Sequence, residues 1–227
     1  MNKNLNIQYE EVLRYIGYNE KLHNITKDLD EKIKRNIDVI KEKAHPRIVV
    51  SNTLLIEEKE NCIIAGGALN MPGDDIKEHL KSCTGIILMA ATLGTEVDTL
   101  IRMQEIKNMA DAVILDSAAN VAIESVCKEK EEELRKDLRK QNKYLTIRYS
   151  PGYGDLPINI QSNVLNILDS RRKIGLSVTP SNIMTPRKSV SSIMGVADID
   201  VKGKLSGCKN CVMKTKCIYR KRGTTCD

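Results

Sequence analysis

The chain has 227 residues, an apolar fraction of 41% and a net charge of +6, which suits one large domain or one domain with a small appendage. Tyrosine is its only aromatic residue type, so rings for a base-stacking, single-stranded nucleic-acid platform are lacking. No uncharged run approaches about 18 residues and the N-terminus has no apolar signal core. A soluble cytoplasmic protein is expected, with no membrane partner, its cysteines kept as thiols or metal ligands rather than disulfides.

In chain order, Leu22, Ile25, Leu29, Ile33, Ile37 and Ile40 recur at spacings of three and four. This is the stripe of an amphipathic helix, ending near Ala44 because Pro46 disfavours helix just before it. "RIVVSNTLLIEE" and "NCIIAGGALNM" read as strands. "MPGDDIKEHLKSC" opens on turn residues and becomes helical. "TGIILMAATLG" is wholly apolar between glycines and predicts a buried central strand. A helical pair follows, one from about Thr95 to Met109 and one from Ala112 into "KEKEEELRKDLRKQ". "TIRYSPGYGDLP" (146–157) is too rich in Pro and Gly for any helix. "INIQSNVLNILDSRR" returns to helix and "SVSSIMGVADI" to strand.

Strands and helices mix without a strict βαβ rhythm, which indicates an α+β fold. The expected organisation is an N-terminal helical segment, 1–45, belonging to the same domain as an α+β body, 46–202. A basic, cysteine-rich tail follows over 203–227. That tail carries Cys208, Cys211, Cys217 and Cys226, spaced C-x2-C-x5-C-x8-C. Four thiolates close a tetrahedral zinc site or an iron–sulfur cluster, and neighbouring Lys and Arg offset their charge. Cys62, Cys83 and Cys127 sit in apolar or helical settings and read as small core residues. His23, His45 and His79 read as surface or helix-face residues without a role.

Three stretches in order, "CTGIILMAATLGTEVD", "ILDSAANVAIE" and "RYSPGYGDLP", resemble the activation domain of vitamin B12-dependent methionine synthase. "GLSVTPSNIMTPRKSVSSIMG" fits the same family's closing pattern, so the resemblance covers roughly residues 8–200. It implies a mixed or antiparallel central sheet with flanking helices. It also implies S-adenosylmethionine binding beside a cobalamin whose metal has fallen from Co(I) to Co(II), with methyl transfer trapping the re-reduced metal.

On that resemblance, Arg148, Ser150, Gly152 and Tyr153 match the ligand-binding loop. A guanidinium offers a planar fork of donors that suits the ligand's carboxylate. Asp116 matches an acidic position suited to the ligand's ammonium, although an acid opening a helix also serves as an N-terminal charge partner. Taken alone, Pro-Gly-Tyr-Gly is an ordinary tight turn. Thr92 and Gly94 are expected to shape a strand-to-helix corner, and Ser189 and Ser191 to lie on a wet strand face.

The sequence departs from the family where Met194 replaces a tyrosine, Ser192 a glycine and Asn120 an acid, and no match is found for the N-terminal adenine-binding aspartate. The Asp-x-His-x-x-Gly signature of cobalamin-binding modules is missing too. The resemblance therefore implies action on a separate corrinoid-binding methionine synthase subunit, with an acidic electron donor such as flavodoxin meeting the positive surface. The same fold serving another corrinoid methyltransferase is the nearest rival. A metal-tailed nucleic-acid-binding module, driven by the basic C-terminus, is a more distant one.

Overall fold

Alternation, capping and apolar runs lay the elements out much as expected in the computed structural model, which describes residues 5–18 and 24–201. Helices α1 (Tyr9–Tyr15) and α2 (Lys27–Lys43) lead into strands β1 (Arg47–Val50), β2 (Leu54–Glu58), β3 (Cys62–Ala65) and β4 (Leu69–Pro72). Next come α3 (Asp74–His79), β5 (Gly85–Thr92), α4 (Thr95–Lys107), α5 (Met109–Arg139) and β6 (Tyr144–Leu145). The chain continues through α6 (Ile160–Leu168), α7 (Ser170–Ile174), β7 (Ser177–Val178), β8 (Met184–Thr185) and β9 (Ser189–Ala197). The class is α+β, with a mainly antiparallel central sheet and flanking helices, as expected.

The described residues fall into two units. The first lies within Met1–Val50, Met89–Leu134 and Val164–Ser191, the second within Ser51–Leu88, Arg135–Asn163 and Ser192–Asp227. In the first, β1 pairs antiparallel with the second half of β5, from Arg47↔Thr92 to Val50↔Met89. Helix α2 is capped by Thr26, whose hydroxyl accepts the Leu29 N–H at 3.3 Å. Asp28 and Asp30 stand in its first turn and Lys41 and Lys43 in its last, both favourable to the helix dipole. Its stripe of Ile33, Ile37 and Ile40 is buried. Leu22 lies outside the described residues and the helix begins at Lys27. Helix α1 was not foreseen; it is short, with only Val12 and Leu13 buried, too few positions for a period to show.

In the second unit the strands run in the order β4-β3-β2-β5-β9-β6. The single strand expected over "RIVVSNTLLIEE" is two, broken at Ser51–Thr53. The break stays bonded to β5, because Ser51 N–H donates to the Leu88 carbonyl (2.9 Å) and its hydroxyl accepts the Leu88 N–H (3.0 Å). Every residue of β5 is buried, as a charge-free run between glycines predicts. The helical pair breaks at Asn108, whose side-chain oxygen accepts the Ala110 and Asp111 N–H groups and so caps α5. The corner after β5 is shaped as expected, with Thr92 Oγ1 accepting the Gly94 N–H at 3.1 Å.

The tail 203–227, with Cys208, Cys211, Cys217 and Cys226, lies outside the described residues, so the metal expectation rests on sequence alone. Among the described residues no group of three or more His, Cys, Asp or Glu could hold a metal ion. No described helix is long and apolar enough to cross a membrane.

Candidate functional site

The segment containing Arg148 leaves the edge of the sheet through a bulge. Tyr144 and Leu145 pair with Ala197 and Val196, and pairing resumes at Tyr149↔Ile193. Leu145 to Tyr149 is four steps where Val196 to Ile193 is three, so one extra residue is accommodated between them. Such bulges bend a strand and re-aim its side chains. Within this one, the Thr146 N–H donates to the Gly195 carbonyl (2.9 Å) and the Gly195 N–H donates to the Thr146 hydroxyl (2.8 Å). A side chain thus supplies the acceptor that the bulge removes from the ladder. Arg135, near the end of α5, donates to the Leu145 carbonyl and, at 2.8 Å, to that of Thr146. Ile147 and Arg148 follow, both half-buried.

Tyr149 closes the bulge, its N–H donating to Ile193 O at 2.9 Å and its carbonyl accepting the Ile193 N–H at 2.8 Å. Its buried ring packs against His79 (centroids 4.8 Å) and edge-on against Tyr153 (6.2 Å). His79 is completely buried, with Nε2 3.0 Å from the Thr146 hydroxyl. Of the two settings expected for that histidine, surface or helix face, the surface one fails: Glu78 and Lys81 in "KEHLK" are exposed, while the His79 ring on α3 joins the core.

The turn itself is compact. Tyr153 N–H donates to Ser150 O (3.1 Å), Gly152 N–H to Leu156 O (2.9 Å) and Leu156 N–H to Tyr153 O (3.1 Å). Gly152 and Gly154 have φ of +90° and +54°, which glycine adopts without penalty. Tyr153 is 56% exposed. Arg148, Ser150, Gly152 and Tyr153 are therefore near neighbours on one bulge and turn, with a half-buried cation and an accessible ring. That set of groups suits an amino-acid carboxylate joined to a flat, partly apolar nucleoside.

Tyr149 also gives the site a pH signature. Burial, aided by the charges of Asp75 and Asp155, pushes its phenol up to about 12. A folded-state pKa above the ordinary value of about 10 means the folded protein holds this proton longer than the unfolded chain. Its stability contribution is complete below pH 10 and is lost as pH rises towards 12. Tyr9, also pushed up to about 12 by burial and by its hydrogen bond to Asp30, acts in the same direction. Denaturant midpoints measured from pH 8 to 11 are expected to fall above pH 10, and to fall less steeply in Tyr149→Phe.

Asp116 lies in the first unit. It stands two turns inside α5 rather than at a helix start, so the helix-terminus reading fails. Its Oδ1 is 2.7 Å from Lys188 Nζ, and Lys188 is only 13% exposed. Asn120, the residue in place of a family acid, accepts from the same Nζ at 2.7 Å and donates to Asp116 Oδ2 at 3.3 Å. Both carboxylate oxygens thus have partners inside this unit. Asp98 accepts the backbone N–H groups of Arg187 and Lys188, holding the entrance to β9. Of the two serines expected on a wet strand face, Ser189 is half-buried and Ser191 buried, since β9 is covered along most of its length; Ser192 is buried too. The Ser192 hydroxyl has no hydrogen-bond partner among the described residues.

Cys127 is buried, as expected of a core thiol, whereas Cys62 and Cys83 are half-buried. Burial pushes the Cys83 thiol up to about 11, away from reactive thiolate character. Residues that sequence reasoning missed are Thr146, Tyr149, His79 and Asp155. Thr146, Tyr149 and Asp155 all lie within the motif 146–157, whereas nothing in the sequence around His79 marks it.

The sequence model of the vitamin B12 dependent methionine synthase activation domain matches residues 89–199. No curated protein matches the chain in sequence. Among solved structures, a crystal structure of the MetH reactivation domain bound to AdoHcy superposes with a TM-score of 0.60 at 16% identity, covering 95% of this chain and 80% of that one. In its family pattern over 89–199 and in its fold over nearly all its length, this chain resembles the activation domain of vitamin B12-dependent methionine synthase.

Proposed function

We propose that this protein serves the reductive reactivation of a cobalamin held on a separate corrinoid-binding methionine synthase subunit, and that it binds S-adenosylmethionine at the turn 148–153. The match of residues 89–199 to the activation-domain pattern carries this reading, because the matched stretch contains the whole bulge and turn. A structural neighbour bound to AdoHcy supports the ligand class. S-adenosylmethionine, when bound, supplies a methyl group from its sulfonium to the reduced corrinoid.

The chain's own residues grip and orient. Arg148 takes the ligand carboxylate in a two-pronged, charge-assisted contact. Ser150 and the Gly152 backbone meet the amino-acid end, and Tyr153 offers its exposed ring. In the same reading the tail cysteines hold an iron–sulfur cluster or zinc, and a donor such as flavodoxin delivers the electron. Metal and sulfide analysis of anaerobically purified protein tests the tail: absence of both iron and zinc removes it from the proposal.

Calorimetric titration with S-adenosylmethionine tests the site. Arg148→Ala is expected to weaken binding at least tenfold, since hydrogen bonds to charged groups contribute about 1.5–3 kcal/mol, with Arg148→Lys in between. Equal affinity in wild type and Arg148→Ala would remove Arg148 from the site.

A further inference from the structure

The turn that follows Arg148 is anchored at a second place, away from the strand ladder. The Asp155 carboxylate reaches the first turn of α3, where Oδ2 accepts the Asp74 N–H at 2.7 Å and Oδ1 the Asp75 N–H at 3.1 Å. Chain and cap are in close contact there, since a Cβ on Gly73 would overlap that carboxylate. On the other side of the turn the Tyr149 hydroxyl donates to the Tyr153 carbonyl at 3.1 Å. Residues 153–155 are thus tied to α3 and to the edge of the sheet by groups outside the set assigned to the ligand.

We propose that Asp155 is a positioning residue for the ligand turn. Its two oxygens satisfy two adjacent amides, one oxygen to each, in charge-assisted bonds, and they fix where Gly152 and Tyr153 stand before any ligand arrives. Preorganisation of this kind raises affinity by removing an ordering cost at the moment of binding. The inference rests on the reading of 148–153 as the S-adenosylmethionine site.

The test uses the full chain with Asp155→Ala, Asp155→Asn and Asp155→Glu, measuring calorimetric affinity for S-adenosylmethionine and amide hydrogen exchange without ligand. Asp155→Ala is expected to weaken binding about tenfold and to speed exchange at Asp74, Asp75, Tyr153 and Leu156, while the amides of β5 keep wild-type protection. Asp155→Asn, which keeps one acceptor, is expected to recover part of both, and supplies the comparison if the alanine variant does not fold. Wild-type affinity in a folded Asp155→Ala, or loss of protection in β5 equal to that in the turn, overturns the positioning role and leaves the ligand reading intact. A wild-type protein that binds no S-adenosylmethionine overturns the ligand reading and the role of Asp155 with it.

Discussion

Alanine at position 154 is expected to destabilise the fold by about 2–4 kcal/mol, and alanine at 152, two residues earlier, by only about 1–2 kcal/mol. Both glycines have positive φ, so both substitutions carry the backbone penalty of a side chain in a left-handed conformation. They differ in what the new methyl meets. At 154 it would strike the Asp75 carboxylate and stand 2.5 Å from the Tyr149 hydroxyl, a group fixed by its own hydrogen bond to Tyr153. At 152 it would meet the tip of Ile158 at 3.1 Å, on an exposed side chain that can turn away. Urea unfolding of both variants measures the difference, and equal losses would show that the turn yields as a whole. Because the Tyr149 hydroxyl displaced at 154 belongs to the struts of the ligand turn, S-adenosylmethionine affinity should fall in Gly154→Ala although Gly154 itself is outside the set assigned to the ligand.

The elements legible in the sequence are those whose cause is local. The β5 run is uninterrupted by charge and bounded by glycines, and the α2 stripe keeps its period; "NCIIAGGALNM", read as a strand, is instead a hairpin, with Gly66 and Gly67 turning β3 back onto β4. The turn at 150–154 was legible for the same reason, since its prolines and glycines act where they stand. What escaped depends on partners distant in the chain. A one-residue excess between Leu145 and Tyr149 leaves no mark on composition, yet it is this bulge that positions Arg148. His79 reads as a helix-face residue until Tyr149 and Thr146 are brought against it. Asp116 reads as a partner for a ligand ammonium or a helix start until Lys188 is seen on it, and Asn120 as a departure from a family acid until it is seen accepting from the same ammonium.

These two kinds of information locate the site differently. The family pattern points to residues by order and spacing, so it proposes Arg148, Ser150, Gly152 and Tyr153 without saying what holds them. The structure supplies the holders: Thr146 and Arg135 at the bulge, Tyr149 and Asp155 at the turn. A ligand end with fixed charges is gripped well only where its partners are held before binding. The supporting residues therefore belong in any account of affinity alongside those that touch.

Thr146→Val puts that dependence to its strongest test. Valine fills the same volume and suits an extended backbone, so packing is nearly unchanged while the hydroxyl disappears. That hydroxyl accepts the Gly195 N–H at 2.8 Å and lies 3.0 Å from His79 Nε2, and Thr146 and His79 are both fully buried. Valine leaves the Gly195 donor without its acceptor in a place water cannot reach, and costs His79 this partner too. A buried polar group stripped of its partner costs about 1–3 kcal/mol, so a total of about 2–4 kcal/mol is expected for the pair. Thr146→Ser keeps the hydroxyl and loses one methyl, for about 1 kcal/mol. The order threonine, serine, valine in unfolding free energy thus puts valine last, where hydrophobicity alone puts it first, and a valine variant as stable as the serine one would refute the assignment. The same bond bridges the bulge two residues before Arg148. Valine should therefore weaken S-adenosylmethionine binding beyond what serine does, in samples kept well below their unfolding midpoints.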